Sequence, residues 1–275
     1  MRVLVITGAG VSAESGIPTF RGKGGYWRNL DPAKLATPEA FARDPELVWQ
    51  WYRERRERIR AAQPNSAHHA IAKLARNADD FLLVTQNVDD LHARAGLPNE
   101  KMVQIHGDIF VTRCSRCNFS QLDYEHPPSQ SYGAAGEQGQ RQEQEQENVL
   151  PRCPKCNALM RPGVVWFGEQ LPWSEAQRVE KFLSRGACDV VIVVGTTATF
   201  GYIIDWAFRA SAGRGAVGRA VLCTPFWEEQ RAQECAPYQL IEVNPEETPL
   251  SQFATRLVRD RAAIALPRIV DELTN

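Results

Sequence analysis

The sequence predicts an open parallel α/β sheet with helices on both faces, accompanied by a small metal-binding domain. Short apolar runs at 3–7, 81–85 and 190–194 have the length and β-branched content of strands buried on both sides. Helical stretches separate these runs, and that alternation builds parallel sheets. Two C-x-x-C pairs in the middle of the chain predict the metal-binding domain.

The elements can be followed along the chain. The first strand leads into a glycine-rich turn at 8–10, and a helix is expected to begin near Val11. Apolar residues recur at three- and four-residue spacings through 45–62, which predicts a helix. Ser66 is the expected N-cap of the next helix, which runs through Ala75. Two further strands are predicted, at 220–223 and 240–243.

The composition excludes several classes of protein. With 275 residues and a net charge of −1, the chain is long enough for one large domain with a satellite, and it lacks the basic excess of a dedicated nucleic-acid binder. The arginines at 53–60 fall on a glutamate-rich helical stretch, which favours a solvated face for most of them. No apolar run reaches the ~20 residues that span a bilayer, and no signal peptide is evident. Seven cysteines without a secretory signal indicate a reducing compartment.

The segment 129–148 differs in kind from the rest of the chain. It contains one aromatic residue and no Val, Ile, Leu, Phe or Met. A stretch of this composition cannot bury enough apolar surface to order itself, so we expect a mobile insertion without an assigned function.

The turn at 8–13 fits the G-x-G-x-x-G/A pattern of dinucleotide-binding sites. Glycines allow a tight turn and a close approach of backbone amides to a pyrophosphate, which a helix N-terminus also favours. A purely structural turn is an equal alternative. The usual acidic residue at the end of a second strand is replaced by loop-like sequence at 20–27, so a dinucleotide would be held in a non-standard way.

The two C-x-x-C pairs predict one structural zinc ion. Each pair can chelate one side of a tetrahedral ion, and four thiolates leave no position for a catalytic water. The 35 intervening residues exceed the usual spacing, and the insertion explains the excess. The alternative is four unligated core cysteines. The predicted ligands are Cys114, Cys117, Cys153 and Cys156.

His106 is a candidate for acid–base chemistry. A lone histidine is more often a structural residue than a catalyst. The case for catalysis depends on its companions, the strings at 86–89 and 161–168, which mix amides, carboxylates and aromatic residues at predicted strand ends.

Taken together, these strings resemble the sirtuins, the family of NAD-dependent protein deacylases. The resemblance runs in order along nearly the whole chain, through GAGVSAESGIPTFRGKGGYW (8–27), TQNVDDLHARAG (85–96), HGDIF (106–110), the two cysteine pairs, RPGVVWFGEQLP (161–172), VGTT (194–197) and EVNPE (242–246).

The resemblance implies a discontinuous domain organisation. A Rossmann-like NAD-binding domain would comprise 1–22, 77–108 and 163–275. A cofactor loop and helical module would occupy 23–76, and a zinc-ribbon module 109–162. We expect a monomer without membrane association, located in mitochondria or cytoplasm or also in the nucleus, with no targeting segment in the chain.

The resemblance also implies roles for individual residues. His106 would be the general base, with Asn87 and Asp89 acting on nicotinamide. The residues expected to bind NAD are Gly8, Ala9, Gly10, Ala13, Glu14, Pro18, Thr19, Phe20, Arg21, Tyr26, Trp27, Gln86, Asn87, Val88, Asp89, His106, Gly195, Thr196, Thr197, Asn244, Pro245, Glu246 and Ala262. Those expected to bind the acyl-lysine are Ala36, Tyr52, Arg55, Val165, Trp166, Phe167 and Gly168.

The implied chemistry suits these residue types. Binding the carboxamide through Asn87 and Asp89 would favour departure of nicotinamide from the ribose. His106, with an ordinary pKa near 6.5, would accept a proton from a ribose hydroxyl at neutral pH. The products would be free lysine, nicotinamide and O-acyl-ADP-ribose, formed from acylated-lysine proteins.

Two residues of the helix at 45–62 indicate which acyl group is preferred. Tyr52 and Arg55 are three positions apart and therefore share a helix face. In the sirtuin class that prefers succinyl, malonyl and glutaryl lysine, a Tyr and an Arg with this spacing hold the distal carboxylate, and Ala36 matches a small residue that widens the pocket. The alternative places Tyr52 in the helix core and Arg55 in the basic run. Arg53 and Arg56 should point elsewhere and serve as controls.

The chain also departs from the family pattern. Thr197 stands where serine is usual, 198–201 lacks the usual proline, and 218–238 is longer than expected before the strand that carries Asn244. Rival functions are an ordinary deacetylase, a mono-ADP-ribosyltransferase and an inactive reader of acyl-lysine. Release of nicotinamide coupled one-to-one to release of lysine would separate a deacylase from the last two.

Overall fold

The computed structural model describes residues 1–19, 31–123, 150–212 and 239–274. It divides into two compact units. The larger comprises Met1–Gly24, Ala62–His106 and Leu171–Asn275, and the smaller comprises Gly25–Ala61 and Gly107–Gln170. The insertion at 129–148, the strand expected at 220–223 and the long segment 218–238 lie outside the described residues.

The described residues form strands and helices in an alternating order. The strands are β1 (Arg2–Thr7), β2 (Asp80–Thr85), β3 (Met102–Gln104), β4 (Gly107–Cys114), β5 (Ser120–Leu122), β6 (Met160–Val164), β7 (Val190–Val194), β8 (Gln239–Val243) and β9 (Arg256–Val258). The α-helices are α1 (Pro32–Leu35), α2 (Pro38–Arg43), α3 (Pro45–Ala61), α4 (Ser66–Asn77), α5 (Leu91–Arg94), α6 (Trp173–Leu183), α7 (Gly201–Ala212) and α8 (Ala262–Thr274). None of the helices in this described part is long and apolar enough to cross a membrane.

The larger unit contains a six-stranded sheet in the order β3-β2-β1-β7-β8-β9, and every neighbouring pair is parallel. The predicted α/β class is confirmed, and β1, β2, β7 and β8 each begin within one residue of the expected strand. The three-residue edge strands β3 and β9 were not predicted. They are too short to show a periodic pattern of their own.

Alternate residues of β1 supply two separate cores, one on each face of this sheet. Val3 and Val5 pack in a cluster with α4 and α8. Leu4 and Ile6 pack in the other cluster, with α6 and α7. All four side chains are fully buried, and each such burial contributes about 1.5–3 kcal/mol. The expected arrangement of helices on both faces is therefore present.

The chain after β1 does not form the helix expected near Val11. Residues Ala9–Val11 and Ala13–Ser15 form two short 3₁₀ turns instead. Gly16, with φ of +85°, ends the second turn in the left-handed conformation, and Pro18 cannot donate the amide hydrogen that a continuing helix needs. That prediction was wrong because the residues that stop the helix follow within one turn.

The N-cap of α4 is Asn65 and not Ser66. The Asn65 side chain accepts a hydrogen bond from the Ala67 backbone amide at 2.9 Å. The backbone amide of Asn65 donates to Nδ1 of His68 at 3.2 Å. The Ser66 hydroxyl donates to the Ala263 carbonyl in α8 at 2.6 Å. Both residue types are good caps. The contact with α8 engages the Ser66 hydroxyl, so Asn65 is the residue that caps α4.

The smaller unit is built on a three-stranded antiparallel sheet in the order β5-β4-β6. Helix α3 packs against β4 and β6, and the Trp49 indole donates to the Met160 carbonyl at 2.9 Å. The boundaries differ from the expected ones, and residues 107–108 fall in the smaller unit. Helix α4 belongs to the larger unit because it packs on α8, and 163–170 belongs to the smaller unit because it continues from β6.

Arg56 is a buried structural residue of α3, although a solvated face was expected for most of this arginine run. Its guanidinium donates to the carbonyls of Ile109 and Val111, to the Thr112 hydroxyl and to the Asp123 carboxylate. Burial lowers the pKa of Arg56, and Asp123 opposes that shift. Arg56 therefore joins α3 to β4 and cannot serve as a neutral control.

Replacing Arg56 by methionine is expected to destabilise the protein by about 3–5 kcal/mol, because the substitution takes this donor from the Ile109 and Val111 carbonyls and removes the buried cation that pairs with Asp123. Urea denaturation followed by circular dichroism measures the change. The matched control is Arg58→Met on the exposed face of the same helix, with an expected effect within about 0.5 kcal/mol. Equal midpoints for the two variants would show that Arg56 contributes nothing.

Candidate active site

The larger unit gathers the strand ends of β1, β7 and β8 at the carboxyl edge of its sheet. The Gly10 amide donates to the Gly195 carbonyl at 2.8 Å, and the Gly195 amide donates to the Val243 carbonyl at 3.1 Å. A Cβ atom on Gly10 would lie 2.7 Å from Cα of Gly195, which itself has φ of +64°. Both positions require glycine because the two loops touch backbone to backbone.

This packing revises the expected role of the glycine-rich turn. The Gly8 and Gly10 amides donate to the Val194 and Gly195 carbonyls, so these two donors do not point at a pyrophosphate. The three-residue turns also lack the dipole of a full helix. The glycines therefore allow the two loops to pack against each other.

A buried hydrogen-bond network centres on the Ser12 hydroxyl. It accepts from the Asn87 amide at 3.0 Å and donates to the Asp89 carboxylate at 2.9 Å. The backbone amide of Asn65 donates to Nδ1 of His68. The proton of the His68 ring is therefore on Nε2, which lies 3.4 Å from the Ser12 hydroxyl oxygen. Burial lowers the pKa of His68 to about 4 and keeps the ring neutral. The expected nicotinamide residues Asn87 and Asp89 are thus held rigidly, through two partners that the sequence did not single out.

Asn244, Gln86 and Thr196 form a second set of contacts. The Gln86 amide donates to the Thr196 hydroxyl at 2.9 Å, and the Asn244 amide donates to the Thr196 carbonyl at 2.7 Å. Three expected cofactor residues from three strand ends therefore meet. The side chain of Thr197 is exposed beside them.

The loop after β8 is held by a buried carboxylate. Glu242 is 1% exposed and accepts from the Ser251 hydroxyl at 2.5 Å and from Arg259 at 2.9 Å. Thr248 donates to the same carboxylate. These contacts close the loop that carries the exposed residues Pro245 and Glu246, both expected to bind NAD.

Glu14 and Ala262, also expected at NAD, meet at the start of α8. The Glu14 carboxylate accepts from the Ala263 amide at 2.8 Å, and Ala262 is buried. A carboxylate at a helix N-terminus is favourable. Ala13 and Pro18 are exposed, and Ala9, Thr19 and Val88 are half-buried. Phe20, Arg21, Tyr26 and Trp27 lie outside the described residues.

His106 is held at both ring nitrogens. Nδ1 lies 3.0 Å from the Gln86 carbonyl, which can only accept, so Nδ1 carries the proton. Nε2 is then an acceptor and lies 2.5 Å from the Tyr202 hydroxyl. Burial lowers the pKa of His106 below its ordinary value, and the hydrogen bond to Gln86 partly opposes that shift. The ring is therefore a neutral imidazole at neutral pH, as a general base must be.

Tyr202 is a site residue that the sequence did not reveal. It lies 96 positions from His106, at the start of α7, and its ring stacks on Phe200 with centroids 5.6 Å apart. The only sequence signal nearby is the departure at 198–201 from the family pattern.

In the smaller unit, Tyr52 and Trp166 come together. The Trp166 indole donates to the Tyr52 hydroxyl oxygen at 3.0 Å. Tyr52 is 1% exposed, and its burial raises its pKa to about 12. The hydroxyl therefore keeps its proton and can donate it.

The other residues expected at the acyl-lysine surround this pair. The Ala36 carbonyl accepts from the Phe167 amide at 2.9 Å, and the Trp166 ring lies 5.3 Å from the Phe41 ring. Glu169 accepts from the Trp166 amide and from Arg161, which lies over the Trp166 ring. Phe167 and Gly168 are exposed, and Val165 is half-buried.

Arg55 stacks on aromatic rings of its own helix. Its guanidinium lies 4.8 Å from the centroid of Trp51 and 5.7 Å from that of Tyr52. The predicted pairing of Arg55 with Tyr52 is therefore present in the structure. Tyr52 is also buried, as the alternative interpretation expected.

The four predicted zinc ligands form one cluster. Their sulfur atoms all lie within 4.8 Å of one another, and the contacts Cys114–Cys156, Cys117–Cys153 and Cys117–Cys156 measure 3.4, 3.6 and 3.7 Å. A tetrahedral ion with Zn–S bonds of about 2.3 Å needs sulfurs about 3.8 Å apart. The amides of Arg116 and Cys117 donate to the Cys114 sulfur at 3.3 Å, and that of Cys117 lowers the Cys114 pKa most, to about 6. The donor set suits one structural zinc ion.

Comparison with known proteins identifies the family. Residues 8–200 match the family model described as Sir2 family. The chain belongs to the Sir2 family. This sirtuin is 40% identical over 273 residues to an NAD-dependent protein deacylase of Aquifex aeolicus, covering 99% of this chain and 95% of that protein.

Two further similarities extend this assignment. The sirtuin is 45% identical over 204 residues to the NAD-dependent protein deacylase sirtuin-5, mitochondrial, of Danio rerio, covering 71% of this chain and 66% of that protein. It resembles the crystal structure of a Sir2 homologue–NAD complex with a TM-score of 0.77 and 39% identity, covering 99% of this chain and 89% of that one. The protein is an NAD-dependent protein-lysine deacylase whose cofactors are NAD and one structural zinc ion.

Proposed function

We propose that this sirtuin removes succinyl, malonyl and glutaryl groups from lysine in preference to acetyl groups. The observation that carries the proposal is the placement of Arg55 beside Tyr52 in α3, with the guanidinium stacked on Trp51 and Tyr52. Acyl groups of this class end in a carboxylate, and a guanidinium next to a phenol is suited to bind one.

The Tyr52 hydroxyl contributes a second donor to the carboxylate. Its oxygen is occupied by the Trp166 indole, so its hydrogen is the part of the group that can be donated. The raised pKa of Tyr52 keeps that hydrogen in place at neutral pH. A charged guanidinium and a neutral phenol can both donate hydrogen bonds to a carboxylate. An acetyl group ends in a methyl group, which accepts no hydrogen bond from either.

The surrounding contacts hold this pair in place. Trp166 is fixed by its two hydrogen bonds, to Tyr52 and to Glu169. Arg55 loses less side-chain freedom on binding because the two rings already orient it. Ala36 is small, and the sequence resemblance associates a small residue at this position with a wider acyl pocket.

The size of the preference follows from one charge-assisted contact. A hydrogen bond to a charged group contributes about 1.5–3 kcal/mol, which corresponds to roughly ten- to a hundredfold in kcat/KM. An acetyl group cannot make this contact. The whole of this free energy therefore appears as selectivity for acyl groups that end in a carboxylate.

The catalytic roles belong to residues of the larger unit. When bound, NAD supplies the ribose that takes up the acyl group as nicotinamide leaves. Asn87 and Asp89, fixed by Ser12, bind the carboxamide, and His106 accepts a proton at Nε2. The substrates are proteins that carry acylated lysine.

The test is a peptide series carrying acetyl-, succinyl- or malonyl-lysine, with product formation followed by mass spectrometry in the presence and absence of NAD. We expect Arg55→Met to lower kcat/KM for the succinyl and malonyl peptides by about 10–100-fold, with a much smaller effect on the acetyl peptide. Arg53→Met is the matched control, since Arg53 lies on the same helix and has no assigned role.

The ratio of succinyl to acetyl turnover decides between the alternatives. A ratio of succinyl to acetyl turnover that falls in Arg55→Met but not in Arg53→Met supports the proposal. If acetyl is removed fastest by the wild type and the ratio is the same in all three proteins, this sirtuin is an ordinary deacetylase and the carboxylate contact is absent.

A further inference from the structure

The contact between Tyr202 and His106 has no counterpart in the roles assigned so far. The Tyr202 hydroxyl lies 2.5 Å from Nε2 of His106, which is the nitrogen that must accept a proton in the proposed reaction. The other nitrogen, Nδ1, already donates to the Gln86 carbonyl at 3.0 Å. One phenol therefore occupies the acceptor nitrogen of the proposed base.

The direction of this hydrogen bond follows from the donors available. Nδ1 carries the single proton of the neutral ring, so Nε2 has only a lone pair. The bond therefore runs from the Tyr202 O–H to Nε2. Burial raises the pKa of Tyr202 well above its ordinary value, so the phenol keeps the proton that it donates.

The Tyr202 side chain is itself held in place. Its ring stacks on Phe200 at 5.6 Å and contacts Trp206 at 5.1 Å. Phe200 also meets the His106 ring edge-on at 5.7 Å. The start of α7 thus presents the hydroxyl to the imidazole on a packed aromatic support.

We propose that Tyr202 is a positioning residue for His106, whose phenol holds the imidazole with Nδ1 protonated and with Nε2 directed as an acceptor. In the part of the chain that the structure describes, the imidazole contacts the Gln86 carbonyl from the segment after β2, the Tyr202 ring of α7 and the Phe200 ring just before α7. The proton path is simple: when the ribose hydroxyl approaches, the phenol releases Nε2, and that lone pair takes the ribose proton. The role rests on His106 being the general base of the proposed function.

The contact has a consequence for the basicity of His106 in the free enzyme. A hydrogen bond donated to the lone pair stabilises the neutral ring and not the charged one, so it lowers the pKa of His106. Burial acts in the same direction. Removing the phenol hydroxyl while retaining the ring should therefore raise the His106 pKa.

The test is an NMR titration of the histidine side chains in wild type and Tyr202→Phe, with the His106 signal assigned by its loss in His106→Ala. We expect the His106 pKa to rise by about 1 unit in Tyr202→Phe, because this variant lacks the one neutral hydrogen bond that stabilises the uncharged ring. The matched control is Ser211→Ala, which deletes a buried hydroxyl of the same helix that donates to Ala207 and Phe208 carbonyls. It should leave the His106 pKa at the wild-type value.

A second measurement separates this inference from the proposed function. The acid limb of kcat/KM against pH reports the free-enzyme pKa of the essential base, and it should move upward with the NMR value in Tyr202→Phe. An unchanged NMR pKa overturns the positioning role, whatever the activity. A shifted NMR pKa with an unshifted acid limb instead shows that Tyr202 holds His106 but that His106 is not the base.

Discussion

Replacement of His106 by alanine is expected to lower kcat by about 10²–10⁴-fold, the usual contribution of a positioned general base. The structure supports so large an effect because the ring is neutral and both its nitrogens are oriented, by the Gln86 carbonyl and the Tyr202 hydroxyl. Mass spectrometry of the deacylated peptide under saturating substrate measures kcat. Zinc content and the thermal midpoint, measured in parallel, show whether the fold survives.

The pH dependence of the wild type tests the same role. Burial holds the pKa of His106 below its ordinary value. The neutral imidazole therefore predominates at neutral pH, and its fraction falls as the pH drops through that lowered pKa. We expect kcat/KM to be flat through pH 7 and to decline at a pH below 6.5, the ordinary histidine value.

A second histidine provides the control for this variant. His69 lies on α4 and is exposed, in contrast to the half-buried His106. His69→Ala should retain wild-type kcat within about twofold, as surface substitutions usually do. If His106→Ala retains more than a tenth of the wild-type kcat, another group accepts the proton and the assignment of His106 fails.

Removal of zinc is expected to unfold the β4–β6 sheet of the smaller unit. Four thiolates brought within 4.8 Å of one another repel each other unless a cation lies between them. In small zinc domains the binding of the ion contributes about 10–16 kcal/mol of folding free energy. This ribbon also packs on α3, so we expect the loss here to be smaller but still sufficient to lower the thermal midpoint sharply.

Cys153→Ser tests this expectation without a chelator. Cys153 is buried at 2% exposure, and serine is a weak ligand for zinc, so the variant should lose stoichiometric metal. Mass spectrometry for zinc and calorimetry for the thermal midpoint record the two effects. Cys188→Ala is the control, since Cys188 is a buried thiol of the larger unit outside the cluster. Stoichiometric zinc and an unchanged midpoint in Cys153→Ser would contradict the four-cysteine site.

Much of the candidate site was predictable because its residues lie in short continuous strings. Gln86, Asn87 and Asp89 follow β2 directly, and parallel strands carry such residues to one edge of the sheet. Ser12 lay inside the glycine-rich motif, and its hydroxyl joins Asn87 to Asp89. The role of Ser12 could have been predicted only by asking which group the buried side chains of Asn87 and Asp89 bind.

The arginines of α3 show where sequence reasoning fails. Arg55 and Arg56 are adjacent and chemically identical, yet one stacks on aromatic rings and the other is buried among carbonyls of β4. Helical spacing separates their directions by about 100° but does not say which direction meets another element. Only the packing of α3 on β4 decides that.

The sequence by itself determined the strands β1, β2, β7 and β8, the cysteine ligands and the family. Those features depend on residues close together in the chain: apolar runs, C-x-x-C spacing and continuous motifs. The tertiary structure alone decided that Asn65 caps α4, that Arg56 is buried against β4 and that Tyr202 meets His106. Each of these depends on contacts between segments far apart in sequence, and no local pattern encodes which distant side chain will satisfy a hydrogen bond.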